Sequence, residues 1–288
     1  MDVTPVLDGL CPAGSPVALA GCRLDGTNSE SCAHDLVVFD GSGGPPEMVQ
    51  RGDGTAIIHH ASLGETRPAV LIRFTNLQIL RDGDMSLAPF LEGIKRQRSK
   101  LFASCIRDGA VESVLCSQRA VQSDTADVAS CWQKCATLCL ADAALLSHDR
   151  LPSSHTLDGL RQARDGTGIP ALVSRSLGVE RATPSLLARM RESAAALSGM
   201  AGLIPPAVVK IKATSLQRDG RLADCYYYLC RVGRDSMFTL SASAGDKATV
   251  WYASRISLDA ERDAASVRRN ALAVRGAADR ILEGLAGR

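Results

Sequence analysis

The sequence predicts an α+β protein: an N-terminal mixed sheet with flanking helices, followed by an all-α helical bundle. Two observations carry that prediction. Up to about residue 85, short apolar runs alternate with Gly- and Pro-rich stretches, as buried strands and their turns do. From Ser86 onward, apolar residues recur at helical spacing over long segments. The expected units are residues 1–88 and residues 89–288, the latter divisible into a bundle at 89–205 and C-terminal helices at 206–288.

In chain order, residues 17–20 and 36–39 are apolar runs suited to buried strands, and Gly41-Ser-Gly-Gly-Pro-Pro46 must be a loop. Residues 56–60 give a third strand. Residues 69–80 give a fourth, in which Ile72 and Phe74, then Leu77 and Ile79, alternate in two registers before Asp82-Gly83-Asp84 breaks the pattern. Leu87, Phe90, Leu91, Ile94, Leu101 and Ile106 then form one helical stripe. Ser123-Asp124 is expected to cap a helix running through Trp132 to Leu146. On it, Cys131, Cys135 and Cys139 repeat at i, i+4 and i+8, a stripe expected to pack as small core residues, since one straight helix rarely gives a metal three thiolates. Thr183 and Pro184 open a helix that Gly202 ends, with Pro205-Pro206 beyond. Residues 223–240 contain Tyr226-Tyr227-Tyr228, expected in the core because successive helical residues face different directions. Residues 258–285 read as an amphipathic helix that docks on the bundle, dimerises or touches nucleic acid.

The 288 residues are 45% hydrophobic and 22% charged, as in ordinary globular proteins, and no apolar stretch approaches the ~20 residues of a membrane span. Ten cysteines without a visible leader sequence predict reduced thiols and a cytoplasmic location. Residues 1–90 hold 5 basic and 11 acidic side chains, a balance of −6, against +3 for 91–205 and +5 for 206–288. Nucleic acid, if a partner, therefore belongs to the basic helical region.

The functional signal lies in residues 19–39. An apolar run ends in Gly21-Cys22-Arg23-x-x-Gly26, a polar loop follows, and Asp35 opens the next run. A glycine turn between strand and helix can aim backbone N–H groups at a phosphate. Two acids at i and i+2 on a strand share one side and can share a Mg²⁺. This layout resembles the polymerase-β-type nucleotidyltransferase signature, a Gly-Ser turn, about ten residues, then Asp-x-Asp. Cys22 stands at the serine, Ala33 at the first acid and Asp35 at the second. The third acid of the family falls on Ile58 or His59, neither a carboxylate, with Asp40 and Asp53 nearby in sequence. Residues 86–200 resemble the helical domains, related to HEPN bundles, that follow minimal nucleotidyltransferase domains. Arg150-x4-His155 matches the spacing of the HEPN ribonuclease motif, but Pro152 within it predicts a helix-to-helix connection.

The resemblance implies a nucleotidyltransferase homologue with a degenerate metal triad. It would bind a nucleotide or other phosphorylated ligand in the cleft between the domains, with Gly21, Cys22, Arg23 and Gly26 around the phosphates. Asp35 would be the residual catalytic and Mg²⁺-binding acid, and Asp40, His59 and His60 would border the cleft. The alternatives are an active Mg²⁺-dependent enzyme acting on a small molecule, protein or RNA end, and a non-catalytic interaction module. No membrane association is expected, and oligomerisation stays open.

Overall fold

The computed structural model describes residues 14–26, 28, 32–51, 54–163, 166–242 and 247–286. Five strands form one sheet: β1 (Val17–Ala20), β2 (His34–Val38), β3 (Glu47–Arg51), β4 (Gly54–His60) and β5 (Gln78–Arg81), in the order β3-β4-β2-β1-β5. β2 runs parallel to β4 with Asp35 opposite Ile57, and every other pairing is antiparallel. The helical part is C-terminal, so the fold is α+β.

Alternation along the strands separates two apolar faces. Ala18, Val37 and Phe39 join Phe74 on one, covered by Leu87, Leu91 and Ile94 of helix α3 (Leu87–Arg96). Phe39 meets Phe74 and Phe90 nearly edge-on, with ring centroids 5.3 and 5.8 Å apart. Val17, Leu36, Val38, Ala56 and Ile58 make the other face.

Between β1 and β2 lies the four-residue helix α1 (Cys22–Asp25). Residues 69–80 are not one strand. They form helix α2 (Pro68–Leu71), a 3-10 turn (Ile72–Thr75) and only then β5. Pro68 is preset for a first helical turn, and Thr75 Oγ1 donates to the Ile72 carbonyl at 2.6 Å. The segment serves two destinations even within one register: Phe74 packs on the sheet, whereas Ile72 packs with Phe102 and Ile106 of the bundle. β3 has no apolar run because it is an edge strand, half exposed.

The bundle comprises α4 (Arg98–Gln122), α5 (Ala126–Ser147), α6 (Thr156–Gln162), α7 (Ile169–Leu177), α8 (Pro184–Ala201), α9 (Pro206–Arg218), α10 (Leu222–Ser241), α11 (Lys247–Ser257) and α12 (Ala264–Ala286). α5 packs against α4 and α12, and α8 against α10 and α11. α8 starts and stops as expected: Thr183 Oγ1 accepts from the Leu186 N–H, and Gly202 is left-handed. α5 instead begins after Thr125, because Ser123 turns its hydroxyl back to the Arg119 carbonyl at 2.7 Å. Residues 258–263 are not helical. Asp259 has φ 48° there, and its carbonyl and carboxylate bind Lys134 and Arg181. Cys131, Cys135 and Cys139 are buried on α5, and all three tyrosines of α10 are buried. Arg150 and Pro152 lie in the connection between α5 and α6, with His155 just before α6. Among the described residues, no helix is long and apolar enough to cross a membrane.

Candidate functional site

Gly21 sits where β1 turns into α1, with φ 81° and ψ −164°, a conformation open in practice to glycine alone. A Cβ there would lie 2.6 Å from Asp35 Oδ2, so the Asp35 carboxylate rests directly against the turn. Asp35 pairs with Ala20 across the sheet and points to the same side as Val37. Gly21, Cys22 and Asp35 thus converge. His59 joins them, its Nε2 lying 3.1 Å from Asp35 Oδ1.

The other partner of Asp35 comes from the bundle. Lys212 of α9 donates its ammonium to Asp35 Oδ1 at 3.0 Å. Burial alone would raise the Asp35 pKa, but the Lys212 charge and the His59 hydrogen bond hold it well below the usual carboxylate range. Reciprocally, burial opposes the charge on Lys212, and Asp35 raises its pKa above the ordinary lysine value. Tyr228 of α10 stands in the same field. Burial pushes its phenol up to about 12, and its hydroxyl has no hydrogen-bond partner among the described residues.

Sequence reasoning brought together residues that the fold separates. His60 faces away from His59, as neighbours on a strand must, and its Nδ1 lies 2.7 Å from Asp40 Oδ2. Asp40 also accepts from the Ser42 N–H at 2.9 Å, so Asp40 and His60 form a second pair at the strand ends, apart from Asp35. Gly26 is left-handed and closes α1 by donating its N–H to the Cys22 carbonyl. Arg23 donates to the Cys32 carbonyl while its buried Nε has no partner among the described residues. Asp53 lies outside the described residues.

The cleft beside Asp35 is small, ≈ 30 Å³, and is walled by Cys22, Cys32, Asp35, Ser154, Lys212 and Asp219. Three of its lining residues, Cys32, Lys212 and Asp219, had no sequence signal placing them there, nor had His155, which meets Cys32. Cys32 Sγ lies 3.4 Å from His155 Nε2, and Arg221 donates to His155 Nδ1. The Cys22 thiol is held protonated, first by its hydrogen bond with Cys32 and then by burial. Mg²⁺ takes hard oxygen donors in octahedral array. Thiols, an imidazole and one lysine-paired carboxylate are a poor fit to it.

A larger cavity, ≈ 420 Å³, opens in the bundle between α5, α7 and α12. Lys134, Arg175, Arg181 and Arg269 line it, against Glu180 and Glu261. Lys134 is saturated: its ammonium donates to the carbonyls of Leu177 and Asp259 and to Tyr226 Oη at 3.0, 2.6 and 2.7 Å. Ser176 Oγ and Arg181 Nε are buried there without partners among the described residues. Comparison with protein-family models and with curated proteins returns no match for this chain.

Proposed function

We propose that this chain is a nucleotidyltransferase-like protein that binds a phosphorylated ligand without transferring a nucleotidyl group. The observation that carries the reading is the pairing of Asp35 with Lys212. The one carboxylate matching the signature already faces a cation, supplied by the other half of the chain, at 3.0 Å. Two Mg²⁺ ions would bring four positive charges to a carboxylate whose charge Lys212 already balances. Ala33 stands at the first acid position of the resemblance and Ile58 or His59 at the third, and none is a carboxylate.

Size decides where such a ligand sits. Ligand pockets commonly span ~300–1,000 Å³. The cleft at Asp35 holds about one water, whereas the bundle cavity is ≈ 420 Å³ and carries four cationic side chains against two acids. Arg175 and Arg269, both exposed at its rim, are suited to gripping phosphate oxygens. The second reading keeps the ligand in the cleft between sheet and bundle. The partnerless Nε of Arg23 favours it, and Lys212 would then leave Asp35 for the phosphate.

Calorimetric titration with ATP and with pyrophosphate separates the two. The bundle reading expects binding without added Mg²⁺ that is lost in the double variant Arg175→Ala/Arg269→Ala and kept in Arg23→Ala. The reverse pattern selects the cleft. Release of pyrophosphate from ATP, abolished by Asp35→Ala, would establish an active transferase instead.

A further inference from the structure

Beside the cleft lies a donor set whose assignment does not depend on a phosphorylated ligand in the bundle cavity. Cys22 opens α1, Cys32 lies just before β2, and His155 precedes α6 in the bundle. Their Sγ, Sγ and imidazole nitrogen atoms all fall within 4.8 Å of one another. Cys22 and His155 are buried, Cys32 half-buried. We propose that Cys22, Cys32 and His155 form a binding site for a borderline transition-metal ion, Zn²⁺ or Co²⁺, that ties the glycine turn of the sheet to the helical bundle.

Geometry supports the assignment. With metal–sulfur bonds near 2.3 Å and metal–nitrogen bonds near 2.0–2.1 Å, a tetrahedral site separates sulfur from nitrogen by roughly 3.6 Å and sulfur from sulfur by roughly 3.8 Å. Cys32 Sγ and His155 Nε2 are already 3.4 Å apart, so metal entry asks for little movement of that pair. The donor types agree as well, since thiolates and imidazole select zinc-like ions over Mg²⁺. Cys22 and Cys32 also line the ≈ 30 Å³ cleft, which has room for a water as a fourth ligand.

The proton balance is defined. The two thiols lose one proton each on ligation, giving a core of no net charge from M²⁺ and two thiolates. The Arg221 N–H on Nδ1 places the imidazole proton on Nε2, where it is shared with Cys32. Ligation through Nε2 moves that proton to Nδ1. Arg221 then turns wholly to Asp158, whose Oδ2 it already meets at 3.3 Å. Asp224, whose carboxylate interacts electrostatically with His155 and whose buried Oδ1 has no partner among the described residues, adds negative charge near the ring. An outer carboxylate holding the second ring nitrogen is the usual companion of a ligating histidine.

The test is titration of the full chain, reduced and stripped with chelator, with Co²⁺ and then Zn²⁺. One equivalent of Co²⁺ should bring up thiolate-to-cobalt charge transfer in the near ultraviolet together with tetrahedral visible bands. Co²⁺ entry should release two protons per ion, and Zn²⁺ should then bleach the bands with no further proton release. Cys32→Ser and His155→Gln should each weaken binding at least ~10-fold. Cys135→Ala, which removes a thiol of the bundle core, should leave the spectrum unchanged, and Arg221→Gln should not weaken binding. Absence of the bands, or their survival in Cys32→Ser and His155→Gln, overturns the site. If a ligand variant loses its helical circular dichroism, alkylation of the wild-type chain read by mass spectrometry decides instead. Protection of Cys32 by one equivalent of Zn²⁺ supports the site, and an unchanged rate overturns it.

Discussion

Asp35 and Lys212 form a buried pair in which each charge depends on the other, and breaking such a pair costs more than replacing it whole. Lys212→Met should lower the unfolding free energy by about 3 kcal/mol, and adding Asp35→Leu should restore most of that loss. Urea denaturation of the two single variants and the double variant measures this coupling, and additive losses would mean there is none. The pH dependence follows in sign. The Asp35 pKa is depressed in the fold, so its contribution is complete above the ordinary carboxylate value near 3.9 and is lost as pH falls from there. The Lys212 pKa is raised, so its contribution is complete below the ordinary lysine value near 10.4 and is lost as pH climbs past it. Between roughly pH 5 and 9 the pair should therefore contribute a constant amount. Gly21→Ala meets both a glycine-only backbone conformation and Asp35 Oδ2 at 2.6 Å, and should cost about 2–3 kcal/mol in the same assay. The meeting of Gly21 with Asp35 was legible in the sequence, because turn geometry and strand alternation are local. Lys212 was not. It lies 177 positions from Asp35 on a helix whose own pattern gives no reason to single it out.

At the level of elements, α10 is the hub of the bundle. Residues about 100° apart around a helix reach three different neighbours. Tyr226 Oη donates toward the Leu177 carbonyl and Asp259, Tyr227 Oη donates to Asp142 Oδ1 at 3.0 Å, and Tyr228 stands beside the Lys212 charge. Asp142 of α5 also receives Arg234 at 2.9 Å, which cross-links α5 to α10. Asp142→Leu leaves Arg231 without a buried counter-charge and should destabilise the fold by about 3–5 kcal/mol, visible as an early thermal transition. The burial of the tyrosine run was readable from helical periodicity. Its three polar destinations were not, being contacts between distant segments. The break at 258–263 escaped for a similar reason, since Asp259 holds its turn through Lys134 and Arg181. β3 escaped because an edge strand needs no apolar run.

In the whole molecule, besides the Cys32–His155 contact, sheet and bundle are joined by the Asp35–Lys212 pair and by the apolar contact of Ile72 with Phe102 and Ile106. Both tryptophans, Trp132 and Trp251, lie in the bundle with ring centroids 5.9 Å apart, so their fluorescence reports the bundle alone. The sheet can be followed by proteolysis in the exposed 41–46 loop. The native chain should lose both signals together. In the double variant Ile72→Ala/Lys212→Met the loop should become cleavable at lower urea than the fluorescence change. Signals that still coincide would point to a joint beyond these two. The charge asymmetry of the sequence, acidic in the first 90 residues and basic beyond, adds an attraction between the halves that salt screens, whereas the buried pair is largely shielded from it.

The thiols of the bundle core also give the chain a built-in clock. Burial pushes Cys131 and Cys230 up to about 12 and Cys225 up to about 11. Only the thiolate attacks an electrophilic labelling reagent, so these side chains are silent while the helices stay closed. Each becomes reactive only during an opening that wets its own helix: α5 for Cys131, α10 for Cys225 and Cys230. Labelling rates read peptide by peptide therefore time the breathing of individual helices in the unmodified protein, with no dye or engineered residue added.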